Sequence, residues 1–139
     1  MVNRVLDLQH FTVARITVPL EKTFVVAINL PLRDAMNLAR ENNLSRLPVW
    51  ETRDGKKRIA GMVEVGALWF EGNLDLGRTA GEFMSPALFL NDDTRLEVAL
   101  RRMQRAGQRL AVVLARDGRE AGVVALVDIL KLMFGEVKL

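Results

Sequence analysis

Apolar and polar positions along the 139-residue chain change period several times, and the changes run in the same order twice. Arg46 to Trp50 reads as a strand, Arg53-Asp54-Gly55 as a turn, Ile59 to Val63 as a strand holding Gly61, and Val65 to Phe70 as a helical stub stopped by Gly72. Later, Leu110 to Ala115 is an apolar run of strand length and Asp117-Gly118 a hairpin signal, since Asp and Gly tolerate the left-handed backbone of tight turns. Ala121 to Leu126, opened by Gly122, is the answering strand. A helix beginning at Asp128 then carries Ile129, Leu130, Met133 and Phe134 on its apolar face and stops at Gly135.

A longer helix precedes each hairpin. Leu32, Ala35, Met36 and Ala39 have i, i+3, i+4, i+7 spacing, and so do Leu96, Ala99, Leu100 and Met103. The spacing predicts helices over Leu32 to about Asn42 and from Leu96 to Gly107. Asn29 is a candidate cap with Pro31 in the first turn, and Thr94 with Glu97 has the capping-box pattern. Phe24 to Ile28 and Ala87 to Leu90 are strands leading into them. Phe11 to Leu20 alternates loosely and ends at Val18-Pro19, matched by Ser85-Pro86, and both prolines mark bends entering an edge strand. The helices repeat at an offset of 64 and the glycines, Gly61 and Gly122, at 61, so the second hairpin is three residues shorter, where deletions cost least.

This periodicity predicts an α/β chain of two β-α-β-β-α repeats. The expected layout is a lead-in over 1–12, a first repeat over 13–72, a connection over 73–82 and a second repeat over 83–135. Each half, at roughly 60 residues, is marginal alone, so the two are expected to share a core. Val5-Leu6-Asp7-Leu8 reads as a turn of helix. The first repeat begins so near Met1 that the chain is expected to be a segment of a longer protein.

Half of the chain is hydrophobic, enough for a buried interior. There is no Cys, hence no disulfide or thiolate chemistry. No apolar run approaches the ~20 residues of a membrane-spanning helix, so this piece is expected to be soluble. The formal charge is +3, and the one dense basic cluster, Arg101, Arg102, Arg105 and Arg109, falls on the polar face of a helix, where solvation explains it. A nucleic-acid binder remains a rival on charge alone, and the expectation is no nucleic-acid partner. His10 is the only histidine, without Cys or paired carboxylates, so neither a metal site nor a catalytic triad is expected. Met36, Met84 and Met103 read as core, and Trp50 and Trp69 as core or interface rather than stacking platforms.

Three stretches carry a resemblance to a known family. Ile16-Thr17-Val18-Pro19-Leu20-Glu21 resembles an opening "M-x-P" segment, and Ser45-Arg46-Leu47-Pro48-Val49 an "S-R-x-P-V" strand. Ala121 to Leu130, continuing to Phe134-Gly135-Glu136-Val137, resembles "A-G-L-V-T-x-E-D-I-L-E-x-I-V-G-E-I". Together with the double repeat they resemble a tandem CBS-domain pair, the Bateman module, and more narrowly that of the CorC/HlyC (hemolysin-type) magnesium and cobalt transport proteins and their cyclin-M relatives.

The resemblance implies two repeats packed with pseudo-two-fold symmetry, a homodimer of modules, and clefts between repeats that take adenine nucleotides (AMP or ATP, with or without magnesium). It implies no catalysis and no required cofactor. It also implies a cytoplasmic domain of a membrane protein, with the parent's membrane domain as partner. Carried over, Asp128 accepts hydrogen bonds from the ribose hydroxyls, Ser45, Arg46, Leu47 and Pro48 border the nucleotide, Val18 lies near the base, and Ala125 stands in the turn that meets phosphate. A carboxylate at a helix start is welcome there, and first-turn N–H groups receive phosphate.

Two departures bear on affinity. Ala125 replaces the hydroxyl of the family's "T-x-x-D" turn. In the first repeat the same turn is Glu64-Val65-Gly66-Ala67, with no ribose carboxylate and a Glu that repels phosphate, so that cleft is expected to be empty. They keep open a ligand-free dimerisation module, and Asp128 could also be read as a simple helix cap.

Overall fold

The computed structural model describes residues 10–135. Val5 to Leu8, Glu136 and Val137 lie outside the described residues. Among the described residues, seven strands and four α-helices follow in order: β1 (Val18–Pro19), β2 (Val26–Ala27), α1 (Leu32–Glu41), β3 (Leu47–Arg53), β4 (Lys56–Val63), α2 (Val65–Leu68), β5 (Leu88–Asn91), α3 (Leu96–Ala106), β6 (Leu110–Leu114), β7 (Glu120–Ala125) and α4 (Leu126–Phe134). Single 3₁₀ turns occupy Val13–Ile16, Leu20–Lys22 and Ala80–Glu82.

The chain forms two compact units. One is 24–87, with the sheet order β2-β3-β4; the other is 1–23 with 88–139, with the order β1-β7-β6-β5. In each, a short strand pairs in parallel with the first strand of an antiparallel hairpin, as a crossover helix requires. Helix α1 buries Leu32, Ala35, Met36 and Ala39 against Leu47, Val49 and Val63. Helix α3 buries Leu96, Ala99 and Met103 against Leu90, Ala111, Val113 and Val124. These are the stripes that the spacing predicts.

Repeat in sequence and unit in space are offset, because each leading segment folds with the other repeat's hairpin. The Val13 N–H donates to Thr94 O and Ala14 N–H to Asp92 O, with Val13 fully buried. In the other unit Ala80 N–H donates to Leu30 O and Gly81 N–H to Ile28 O, with Ala80 fully buried. Val18 then pairs with Val123, and Ser85 bridges Met62. These pairs correspond residue for residue under the repeat.

This exchange explains where sequence and structure part. Helix α3 has Arg95 at its N-cap, not Thr94, and no side-chain cap, so the Thr94–Glu97 box does not form. The Leu96 N–H is instead satisfied by Phe11 O, and Thr94 is held by Val13 and Asn91. Helix α1 likewise has Pro31 rather than Asn29 at its cap, with Leu32 and Arg33 N–H groups donating to Arg78 O and Leu76 O. Orphan helix donors find a distant backbone before they need a local side chain. The loosely alternating Phe11–Leu20 stretch becomes a 3₁₀ turn and a two-residue strand, and Phe24–Ile28 shrinks to Val26–Ala27, for the same reason. Helix α2 ends at Leu68 with Trp69 as its cap, so Gly72 stops nothing.

The hairpins obey the turn chemistry. Asp54 and Gly55 both have positive φ (50° and 75°), the two-residue turn that matches strand twist. The shorter hairpin uses Gly118 at φ 86° behind a turn closed by Gly118 N–H to Ala115 O. Both carry a bulge at the same place: Ala60 and Ala121 are skipped as the register passes Gly61 and Gly122.

A capping box does form, at the 3₁₀ turn Ala80–Glu82. The Glu82 carboxylate accepts from Thr79 N–H (2.9 Å) and from Arg78 (3.1 Å). The bond from Arg78, then that from Thr79, holds the Glu82 pKa below its ordinary value of 4.5. A depressed carboxylate contributes stability above the unfolded value and loses it as pH falls through the lower folded one. Glu82→Gln is therefore expected to lower Tm slightly at pH 7 and to leave it unchanged near pH 2, read from thermal melts across that range; equal shifts at both ends would refute the assignment.

Candidate functional site

The predicted residues divide between the units: Ser45, Arg46, Leu47 and Pro48 in one, and Val18, Ala125 and Asp128 in the other. Each set is positioned by a strand end meeting a helix start.

In the first, Leu47 opens β3 opposite Val63, the last residue of β4. Leu47 and Pro48 are buried while Ser45 is exposed. The Ser45 carbonyl accepts from Gly66 N–H at 2.8 Å, tying the strand start to α2. One step beyond the ladder, Arg46 Nε donates to Glu64 Oε2 at 3.0 Å. Glu64 stands at the N-cap of α2 yet makes no capping bond; its carboxylate is given to Arg46. Reading Glu64 as a repulsive charge missed this partnership. The signal was present in the strand register, which places the two residues face to face.

In the second, β1 lies antiparallel on β7, Val18 against Val123 and Pro19 against Gly122. Val18 is 38% exposed. Ala125 ends β7 and is the N-cap of α4, which starts at Leu126, two residues before the start read from Asp128. This overturns the reading of Asp128 as a cap: it sits at the third helical position, and the Leu126 N–H donates to Arg109 O at 2.9 Å. Asp128 is half-buried, and among the described residues it makes no hydrogen bond or ion pair. A carboxylate in the first turn is favoured by the helix dipole, so it is held without being consumed.

The rest of the chemistry is sparse. Among the described residues no three His, Asp or Glu side chains are placed to hold a metal, and no helix is long and apolar enough to cross a membrane. The arginines of the basic cluster are exposed, with Arg102 donating to Phe89 O. Met36 and Met103 are buried and Met84 packs against the core, as read. Trp50 lies half-buried under Lys57, 4.2 Å from its ring, while Trp69 is exposed rather than core. Phe134, assigned by its spacing to the apolar face of the last helix, is 68% exposed, because α4 is apolar nearly all round and buries only Ile129 fully.

Comparison with known proteins bears on both units. The CBS domain family model matches residues 13–68 and 80–135. UPF0053 protein Rv2366c of Mycobacterium tuberculosis is 28% identical over 141 residues, covering 99% of this chain and 32% of that protein. The chain thus spans about a third of the curated relatives it matches. Among solved structures, the CBS domain of a bacterial CNNM/CorC family Mg2+ transporter in complex with ATP superposes with a TM-score of 0.84 at 26% identity, covering 96% of this chain and 94% of that one. CBSX2 in complex with AMP gives 0.70 at 26% identity, covering 87% and 94%.

Proposed function

The chain belongs to the CBS domain family, as a tandem pair resembling that of CNNM/CorC Mg2+ transporters, and from that premise we propose that it is a regulatory, non-catalytic module that binds an adenine nucleotide. The observation that carries this is Asp128: a half-buried carboxylate at the start of α4 with no partner among the described residues. By the motif resemblance it corresponds to the family's ribose-binding carboxylate, which supports this reading. The ATP and AMP named for related CBS structures support an adenine nucleotide as the ligand.

In this reading Asp128 accepts from the ribose hydroxyls. Val18 flanks the base, and Ala125 with the first turn of α4 faces phosphate. Ser45, Arg46, Leu47 and Pro48 supply the remaining border. The parent is a CorC/HlyC-like magnesium or cobalt transport protein, the module its cytoplasmic domain joined to a membrane domain, and two modules associate as a homodimer.

Affinity is weak, because Ala125 offers no hydroxyl. A hydrogen bond to a charged partner contributes about 1.5–3 kcal/mol, so Ala125→Thr is expected to tighten ATP and AMP by roughly tenfold or more. Calorimetric titration of the wild type and this variant, with and without magnesium, is the test. No heat from either ligand at millimolar concentration, in either protein, would sink the sensing reading. A concentration-independent dimer that ignores nucleotide would then establish the second reading, a dimerisation module, which the exposed Val127 and Phe134 on α4 favour.

A further inference from the structure

We infer that Glu64 is an internal counterion that makes this module discriminate among nucleotides by phosphate charge, an inference that rests on the placement of Arg46 at the nucleotide. The Arg46 guanidinium is a natural phosphate ligand, planar and permanently charged. Here it is held through Nε by the Glu64 carboxylate at 3.0 Å, with side chains 24% and 39% exposed. Among the described residues Glu64 is its one hydrogen-bond partner. A phosphate reaching Arg46 must displace that carboxylate or share the guanidinium with it.

The repeat supplies an internal control. By the registers of the two hairpins, Arg46 corresponds to Leu110 and Glu64 to Ala125, and Leu110 and Ala125 pair directly at the end of the β6–β7 ladder. The fold therefore closes this junction with an apolar pair and does not require an ion pair there. Nor does Glu64 cap α2. Its chemistry is spent on Arg46.

The consequence follows from Coulomb's law. Arg46 and Glu64 together present no net charge to a ligand, and the carboxylate repels each phosphate charge brought near it. AMP carries about two negative charges at neutral pH and magnesium-free ATP about four. The penalty therefore grows along the series adenosine, AMP, ATP. A charge within 4–6 Å typically changes a neighbouring ionisation by tenfold or more, and partial exposure reduces this.

The test is titration of magnesium-free adenosine, AMP and ATP into the wild type, Glu64→Gln, Glu64→Ala and Asp128→Ala, with a thermal melt of each. Glu64→Ala reproduces the residue at the matching junction, so one of the two Glu64 variants is expected to fold. The expected result is unchanged affinity for adenosine, a few-fold gain for AMP and roughly tenfold or more for ATP. A Glu64 effect equal for all three ligands, or absent while Asp128→Ala still abolishes binding, overturns the counterion and leaves the nucleotide site standing. Charge-graded gains with Asp128→Ala binding like the wild type would instead overturn the ribose assignment and keep the counterion. Silence from wild type and both Glu64 variants overturns both.

Discussion

Gly122→Val is expected to lower the melting temperature by about 10 °C or more. Gly122 lies beneath β1, and a Cβ there would be driven into the Val18 carbonyl oxygen and to within 2.8 Å of Thr17 Cγ2. The obstacle is backbone, which cannot swing aside as a side chain does. Either β1 leaves β7, losing the Val18–Val123 and Pro19–Gly122 pairing, or the hairpin buckles at its bulge. Overpacking of a tight contact costs about 1–3 kcal/mol, occasionally more. Valine, with two further methyl groups, belongs at the upper end. Gly61→Ala is the control: its Cβ would meet Ser85 O at 2.7 Å and the flexible Met84 Sδ at 2.9 Å, so a smaller loss is expected. A Gly122→Val melt within 2 °C of wild type would mean that β1 does not pack as described.

That glycine also shows how far the sequence carries. Gly61 and Gly122 were legible as a repeat with its offset, and the registers place both at the same bulge, each beneath a leading segment. The apolar stripes of α1 and α3 and the two hairpin turns were legible because they are local: period, turn residues and left-handed glycines lie within a dozen residues of one another. The helix starts were not. Thr94 and Glu97 satisfy the local pattern for a cap, yet the Leu96 N–H goes to Phe11 O, 85 positions earlier in the chain. A donor cannot announce in sequence that a distant carbonyl will reach it first.

The candidate site divides along the same line. Asp128 and the Ser45–Pro48 stretch are proposed through motifs, which are local in sequence. Arg46 and Glu64 are 18 residues apart and met only once the hairpin register was fixed. The Asp128 cap reading failed because one apolar helix began two residues early, leaving Ala125 at the cap. Each miss therefore concerns a polar group whose partner is chosen by tertiary structure, while each success concerns a residue whose neighbours in sequence already constrain it.

Asp128→Ala is expected to weaken ATP binding by about a hundredfold, from the loss of charge-assisted bonds of about 1.5–3 kcal/mol each to the ribose, while lowering the melting temperature by no more than a few degrees. The separation of the two effects follows from where the carboxylate sits. At the third position of α4 it gains from the helix dipole about 0.3–1 kcal/mol, and it bonds to no other described residue, so folding has little invested in it. Ligand binding, in the reading proposed above, has much. Asp128→Asn keeps one acceptor and adds donors that a ribose hydroxyl can use less well, so an intermediate loss of about tenfold is expected. The decisive control is 2′,3′-dideoxy-ATP, which lacks both hydroxyls: it should bind wild type and Asp128→Ala with equal, weak affinity, because the interaction removed by the mutation is already absent from the ligand. If the dideoxy nucleotide discriminates between the two proteins as strongly as ATP does, the carboxylate acts on something other than ribose. If ATP itself binds Asp128→Ala as it binds wild type, the ribose lies elsewhere.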